Sequence, residues 1–198
     1  MFYCACVIGL LLIYMFVDIN YFLRFICLLV CDLLFGKKKK VLDTSVSYGI
    51  CTTHDVDVLF RHMNNARYFR EADFARFKYL FRSGIYKVAL KYGGNAVQAA
   101  ATARYRRAIS LFTPFKLESK VIYWEGQSIY LEQRFIGLTD GFVYTVMLCK
   151  QTFAGLKISV DELLQKMEPG IRNPTPSKEL TLWLELMEES SKSLKKEK

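Results

Sequence analysis

The sequence predicts an α+β domain in which an antiparallel sheet wraps one long central helix, behind an apolar N-terminal segment. Three observations carry this: a run of good helix formers over residues 66–81, four strand-like runs between residues 95 and 153, and turn chemistry between those runs. At 198 residues the chain has length for one domain with a sizeable core, and 52% hydrophobic and 15% aromatic residues exclude a disordered chain.

Residues 1–35 are almost wholly apolar; residues 1–17 carry no charge, and Asp18, Asn20, Arg24 and Asp32 then fall within one helical arc. A secretory signal needs a basic start and a small-residue cleavage site, and neither is present around Val17. We therefore expect a membrane-anchor helix, or uncleaved signal-anchor, that spans and continues along the interface. Secretion is the alternative if the segment is cleaved.

The basic linker over residues 36–45 opens with Lys37 to Lys40, which supply four charges of a net +9. Basic residues beside a span stay on the cytosolic side, so the domain is expected to face the cytosol. The tail Lys195-Lys196-Glu197-Lys198 is similar to a dilysine retrieval signal, which points the same way and to the endoplasmic reticulum membrane. The basic excess suits an anionic membrane or a phosphate-bearing small molecule; no zinc-finger or RNA-binding pattern backs nucleic acid. Cys4, Cys6, Cys27 and Cys31 lie in the apolar segment, with Cys51 and Cys149 in the domain. That distribution is no disulfide framework; the cysteines read as small buried hydrophobes.

Within the domain, residues 46–168, a strand over 46–53 leads through a loop to Asn64 or Asn65, either of which offers an N-cap for the helix over 66–81, with Gly84 as its stop. Arg67/Glu71 and Arg70/Asp73 are spaced as ion pairs along it. Its apolar residues are spread around the helix, which predicts enclosure on several sides. Strands follow over 95–109, 115–123, 128–138 and 142–153, separated by Thr113-Pro114, Glu125-Gly126-Gln127 and Asp140-Gly141; three consecutive hairpins are expected. Residues 169–198 hold a Pro/Gly linker and a last helix, with Thr175 and Pro176 at its start and a Leu180 to Met187 cluster expected to dock on the domain.

Residues 54–68 carry the chemistry. They deliver a carboxylate, Asp57, and an imidazole, His62, into a loop that runs straight into a helix N-terminus with unpaired N–H groups and partial positive charge. A carbonyl oxygen held there is polarised while the carboxylate activates water. On the residues alone, an ordinary Asn cap, a structural His62 and a loop-capping Asp57 are the better explanation of the stretch.

Asp57 followed by His62-Met63-Asn64-Asn65-Ala66-Arg67-Tyr68 resembles the D-x(n)-G-H-V-N-N-x-x-Y signature of hotdog-fold acyl-CoA thioesterases, and Arg104-Tyr105-Arg106-Arg107-Ala108 is similar to the Y-R-R-P strand of that superfamily. The similarity covers most of residues 46–153. It implies a hotdog fold, a homodimer and hydrolysis of a fatty acyl-CoA thioester. Asp57 is then the catalytic carboxylate, and His62 its dyad or positioning partner. The Asn64 and Asn65 N–H groups polarise the carbonyl, and Tyr68, Arg104 and Arg106 bind substrate, the arginines through coenzyme A phosphates. Alternation places Arg104 and Arg106 on one strand face and Arg107 on the other. The resemblance implies no cofactor and no metal. Arg61 stands where the family has glycine, and Asp57 lies five rather than four residues before His62. A non-catalytic acyl-CoA-binding or membrane-partner-binding hotdog protein is the alternative, and the five-residue Asp/His spacing, similar to that of hotdog enoyl-CoA hydratases, makes water addition a third.

Overall fold

Asp18 divides the apolar segment. In the computed structural model, which describes residues 2–196, helices α1 (Phe2–Phe16) and α2 (Ile19–Phe35) flank it. Its carboxylate accepts the Tyr21 N–H at 3.0 Å, so the side chain starts a second helix where one continuous helix was expected. At 15 and 17 residues the helices are about 22 and 26 Å long, against about 30 Å of hydrocarbon. Among the described residues no helix is long and apolar enough to cross a membrane. Cys6, Cys27 and Cys31 are exposed there, contrary to the expected burial, whereas Cys51 and Cys149 are buried in the domain.

The chain divides into two units, Met1–Lys37 and Lys38–Lys198. In the second, strand β1 (Ser45–Ile50) leads by a loop to helix α3 (Asn65–Ser83), then helix α4 (Ile85–Lys91) and strands β2 (Asn95–Tyr105), β3 (Pro114–Glu125), β4 (Ser128–Gly137) and β5 (Val143–Ala154). Helices α5 (Val160–Met167) and α6 (Lys178–Lys196) complete the chain. Glu197 and Lys198 of the retrieval-like tail lie outside the described residues.

The sheet is antiparallel throughout, in the order β1-β3-β4-β5-β2. Two of the three expected hairpins form, β3–β4 and β4–β5; β2 instead crosses over to pair with β5 and becomes an edge. It also ends at Tyr105, because the Arg106 and Arg107 N–H groups both turn to the Tyr144 carbonyl, 2.8 and 3.3 Å away. The strand alternation that would separate Arg106 from Arg107 is thereby lost.

α3 buries Phe74 and also Tyr68, Ala72, Ala75, Tyr79 and Leu80, the last five of which bear on two apolar clusters. One, around Tyr79, Trp124, Leu131 and Phe153, is closed by α4 and α5; the other, around Met63, Tyr68, Phe115 and Phe135, lies beneath the start of α3. Between helix and sheet the buried Arg76 bonds Asp73, Gln98 and Gln133, and the Gln133 amide donates to the Ala72 carbonyl and Ser119 Oγ at 3.0 Å each. Asp73 pairs with Arg76, one turn on.

Gly84 ends α3 with φ +77° and passes the chain into α4. A Cβ there meets nothing closer than the Met167 terminal methyl at 3.9 Å, so only the left-handed backbone opposes a side chain. Gly84→Ala is expected to cost about 1 kcal/mol, read as a lower urea midpoint with an unchanged slope. The last helix begins at Ser177, whose Oγ accepts the Leu180 N–H at 3.2 Å, two residues beyond the expected Thr175 cap. One face docks through buried Leu180 and through Trp183, edge-on to Tyr130, while Leu182 and Leu186 remain exposed.

Candidate active site

The loop between β1 and α3 is built around carboxylates that bind backbone. Asp55 is buried and takes the Thr52 N–H and hydroxyl at 2.9 and 2.7 Å. Asp57 Oδ1 accepts the N–H of Arg61 at 3.0 Å and, more weakly, that of His62 at 3.4 Å, while the Asp57 N–H donates to the His62 carbonyl at 2.9 Å. Residues 57–62 therefore form a tight closed turn, through Phe60 at φ +52°. The Val56–Met63 bridge closes its base, and the His62–Ser110 bridge ties it to the chain after β2.

Asp57 and His62 do meet. Nε2 of His62 is 4.0 Å from Asp57 Oδ2, and both side chains reach solvent. Nδ1 of His62 lies 3.2 Å from the Met63 carbonyl, an atom that only accepts, so Nδ1 donates there and Nε2 is the ring nitrogen that faces the carboxylate. The Arg61 N–H, then the His62 N–H and ring, hold the Asp57 carboxyl below the usual aspartate range. A depressed folded-state pKa stabilises the fold above the unfolded value, about 3.9, and that contribution is lost as pH falls through the lower folded value. The Arg61 amide is accordingly expected to keep its exchange protection down to about pH 4 and to lose it below, as followed by NMR.

Asn64 is the N-cap of α3. Its Oδ1 accepts the Ala66 N–H at 2.9 Å and its carbonyl the Arg67 N–H at 2.8 Å. Its own N–H donates to the Asp55 carbonyl at 2.8 Å, so of the two amides expected to polarise a carbonyl the Asn64 group is engaged within the loop. Asn65, the first helical residue, has no intrahelical acceptor for its N–H and remains the donor at the helix start. Tyr105, which the sequence reading did not single out, donates its hydroxyl proton to the Asn65 carbonyl at 3.1 Å and fastens β2 to this point. Asp55 was missed too, although Thr52-x-x-Asp55 is a turn-capping spacing.

Tyr68 is placed differently from a substrate contact. It is buried, its hydroxyl accepts the Ile109 N–H at 3.2 Å, and its ring meets Tyr105 and Phe135 edge-on. Burial raises its pKa, so the hydroxyl stays protonated. Arg104 is exposed on β2. Arg106 donates to the Val143 carbonyl at 3.2 Å and lies over the Phe142 ring, and Arg107 covers the same ring from 3.6 Å while pairing with Asp140 at 2.9 Å. The Cys51 thiol, pushed up to about 11 by burial and by Asp55 and Glu71, stays protonated and is no nucleophile. Among the described residues no cluster of three His, Cys, Asp or Glu side chains could hold a metal ion.

The family model described as "Thioesterase-like superfamily" matches residues 51–184, more than half of the chain. The chain belongs to the thioesterase-like superfamily. Among curated members, the Drosophila melanogaster protein THEM6 is 44% identical over 189 residues, covering 96% of this chain and 97% of its own. The Xenopus laevis protein THEM6 is 35% identical over 199 residues, covering all of this chain and 95% of its own. Solved structures share the fold: the Escherichia coli probable thioesterase YbaW superposes with a TM-score of 0.56 at 22% identity, over 62% of this chain and 94% of its own. SAV2348 of Staphylococcus aureus, solved in complex with CoA, superposes with a TM-score of 0.53 at 12% identity, over 73% of this chain and 96% of its own. The hotdog expectation thus holds for the superfamily domain.

Proposed function

We propose that this protein hydrolyses a fatty acyl-CoA thioester at the start of α3. The observation that carries the reading is the pairing of Asp57 and His62 in a turn that runs directly into an open helix N-terminus. Oδ2 of Asp57 and Nε2 of His62 are two acceptors at a separation one water molecule bridges by donating to both. That leaves the water oxygen lone pairs to attack the thioester carbonyl. The new C–O bond forms as the carbonyl π bond opens, and the Asn65 N–H with the α3 dipole receives the oxyanion. Collapse expels the coenzyme A thiolate, which takes up the proton that His62 or Asp57 accepted from water. CoA phosphates fall to Arg104 and Arg106, arginine suiting phosphate; a CoA-bound structural neighbour supports that ligand class.

Two features of assembly belong to this reading. The edge of β2 leaves a row of backbone groups unpaired, and a second protomer adding its own β2 there gives a homodimer with one continuous sheet. Residues 1–35 tether the domain to the endoplasmic reticulum membrane on its cytosolic side. Two apolar helices followed by four lysines support this.

A second reading is favoured by a specific observation. Asp57 Oδ1 is spent on its own turn, as a purely structural carboxylate would be, and a hotdog domain that binds acyl-CoA without hydrolysis uses the same geometry. Thiol release from acyl-CoAs of increasing chain length, by the full chain in lipid nanodiscs, decides between them. Turnover above the uncatalysed rate supports hydrolysis, and saturable binding without thiol release assigns the second reading.

A further inference from the structure

We propose that the apolar rim beside the site is a lipid-docking surface, which presses the 57–62 turn into an anionic membrane. Val58, Leu59, Phe60 and Phe112 are 90%, 63%, 67% and 63% exposed. Phe60 and Phe112 are also the only non-glycine residues with positive φ among those described, at 52° and 60°. Bulky side chains rarely adopt that conformation, yet the fold holds both residues there with their phenyl rings toward solvent. The His62–Ser110 bridge joins the two loops, and the Phe112 N–H bonds the Cys51 carbonyl beside exposed Ile50, so these side chains gather at one end of the domain.

Charge selects lipid over other apolar occupants. Exposed Arg61 stands on the turn itself, and residues 46–168 carry 17 Lys and Arg against 11 Asp and Glu, a net +6 that favours an anionic partner. Aromatic and aliphatic tips with an exposed arginine among them, on a basic domain, match the boundary between acyl chains and anionic headgroups. The proposal builds on the hydrolytic reading only in its consequence, that Asp57 and His62 stand at the foot of the inserted turn.

The test uses the full chain carrying Phe60→Trp in vesicles of phosphatidylcholine and phosphatidylserine. The parent chain sets the baseline from buried Trp124 and half-buried Trp183. The added emission is expected to be quenched by lipids brominated along the acyl chain and shielded from iodide. Adding Leu59→Glu, or omitting phosphatidylserine, should return bromolipid quenching to the parent level. Quenching by iodide alone overturns the proposal, since the turn then stands in water. Shielding from iodide without bromolipid quenching also overturns it, because a second copy or another part of the chain then covers the turn. Neither readout involves turnover, so a chain that docks without hydrolysing separates this inference from the enzymatic one.

Discussion

Asp57→Asn is expected to lower thiol release by about 10²- to 10⁴-fold while leaving acyl-CoA affinity within a few fold. The amide oxygen still accepts the Arg61 and His62 N–H groups, so the turn keeps its shape. The amide nitrogen then occupies the Oδ2 position and presents hydrogens where a bridging water must donate. Single-turnover measurement of thiol release beside equilibrium binding separates the two effects. An unchanged rate removes Asp57 from the chemistry and leaves it as a turn-forming side chain.

Phe135→Ala is expected to destabilise the fold by about 3–5 kcal/mol. The ring is fully buried, edge-on to Tyr68 at 5.1 Å between centroids and tilted against Phe115 at 5.5 Å. Removing it opens a cavity beneath the start of α3 and frees Tyr68, which supports Ile109 and through it the Met63 N–H. Urea unfolding of the full chain gives the loss, and the midpoint should fall further than for Gly84→Ala. A loss below about 1 kcal/mol would show that the second apolar cluster relaxes into the space.

What the sequence made legible was local. The N-cap at Asn64 and the stop at Gly84 bracket α3 because capping is decided within a few residues. Asp140-Gly141 and Gly126 mark the β4–β5 and β3–β4 hairpins for the same reason. The partner of β2 was not legible: adjacency in sequence suggests β3, but the pairing with β5 is settled by where each strand's buried face must lie. Helices α4 and α5 were missed because seven and eight residues give weak periodicity, although Ser159, which accepts the Glu162 N–H, was a readable start for α5.

The site divides along the same line. Asp57, His62 and the α3 N-terminus are brought together as expected because they lie within one short stretch. The engagement of the Asn64 N–H by Asp55, the burial of Tyr68 against Ile109 and the turning of Arg106 to Val143 all depend on contacts across the fold. Signature positions therefore include residues that build the site as well as residues that face it.

Asp57 Oδ1 is held by main-chain donors, the N–H groups of Arg61 and His62, and every residue except proline supplies such a donor. The side chains of residues 58–61 are thus uncoupled from the geometry of the carboxylate. Mutation can exchange the surface this turn presents, from greasy to polar or from bulky to small, without passing through a form whose Asp57 carboxylate is misplaced. The turn is the point where such a protein can change what it meets while keeping what it does.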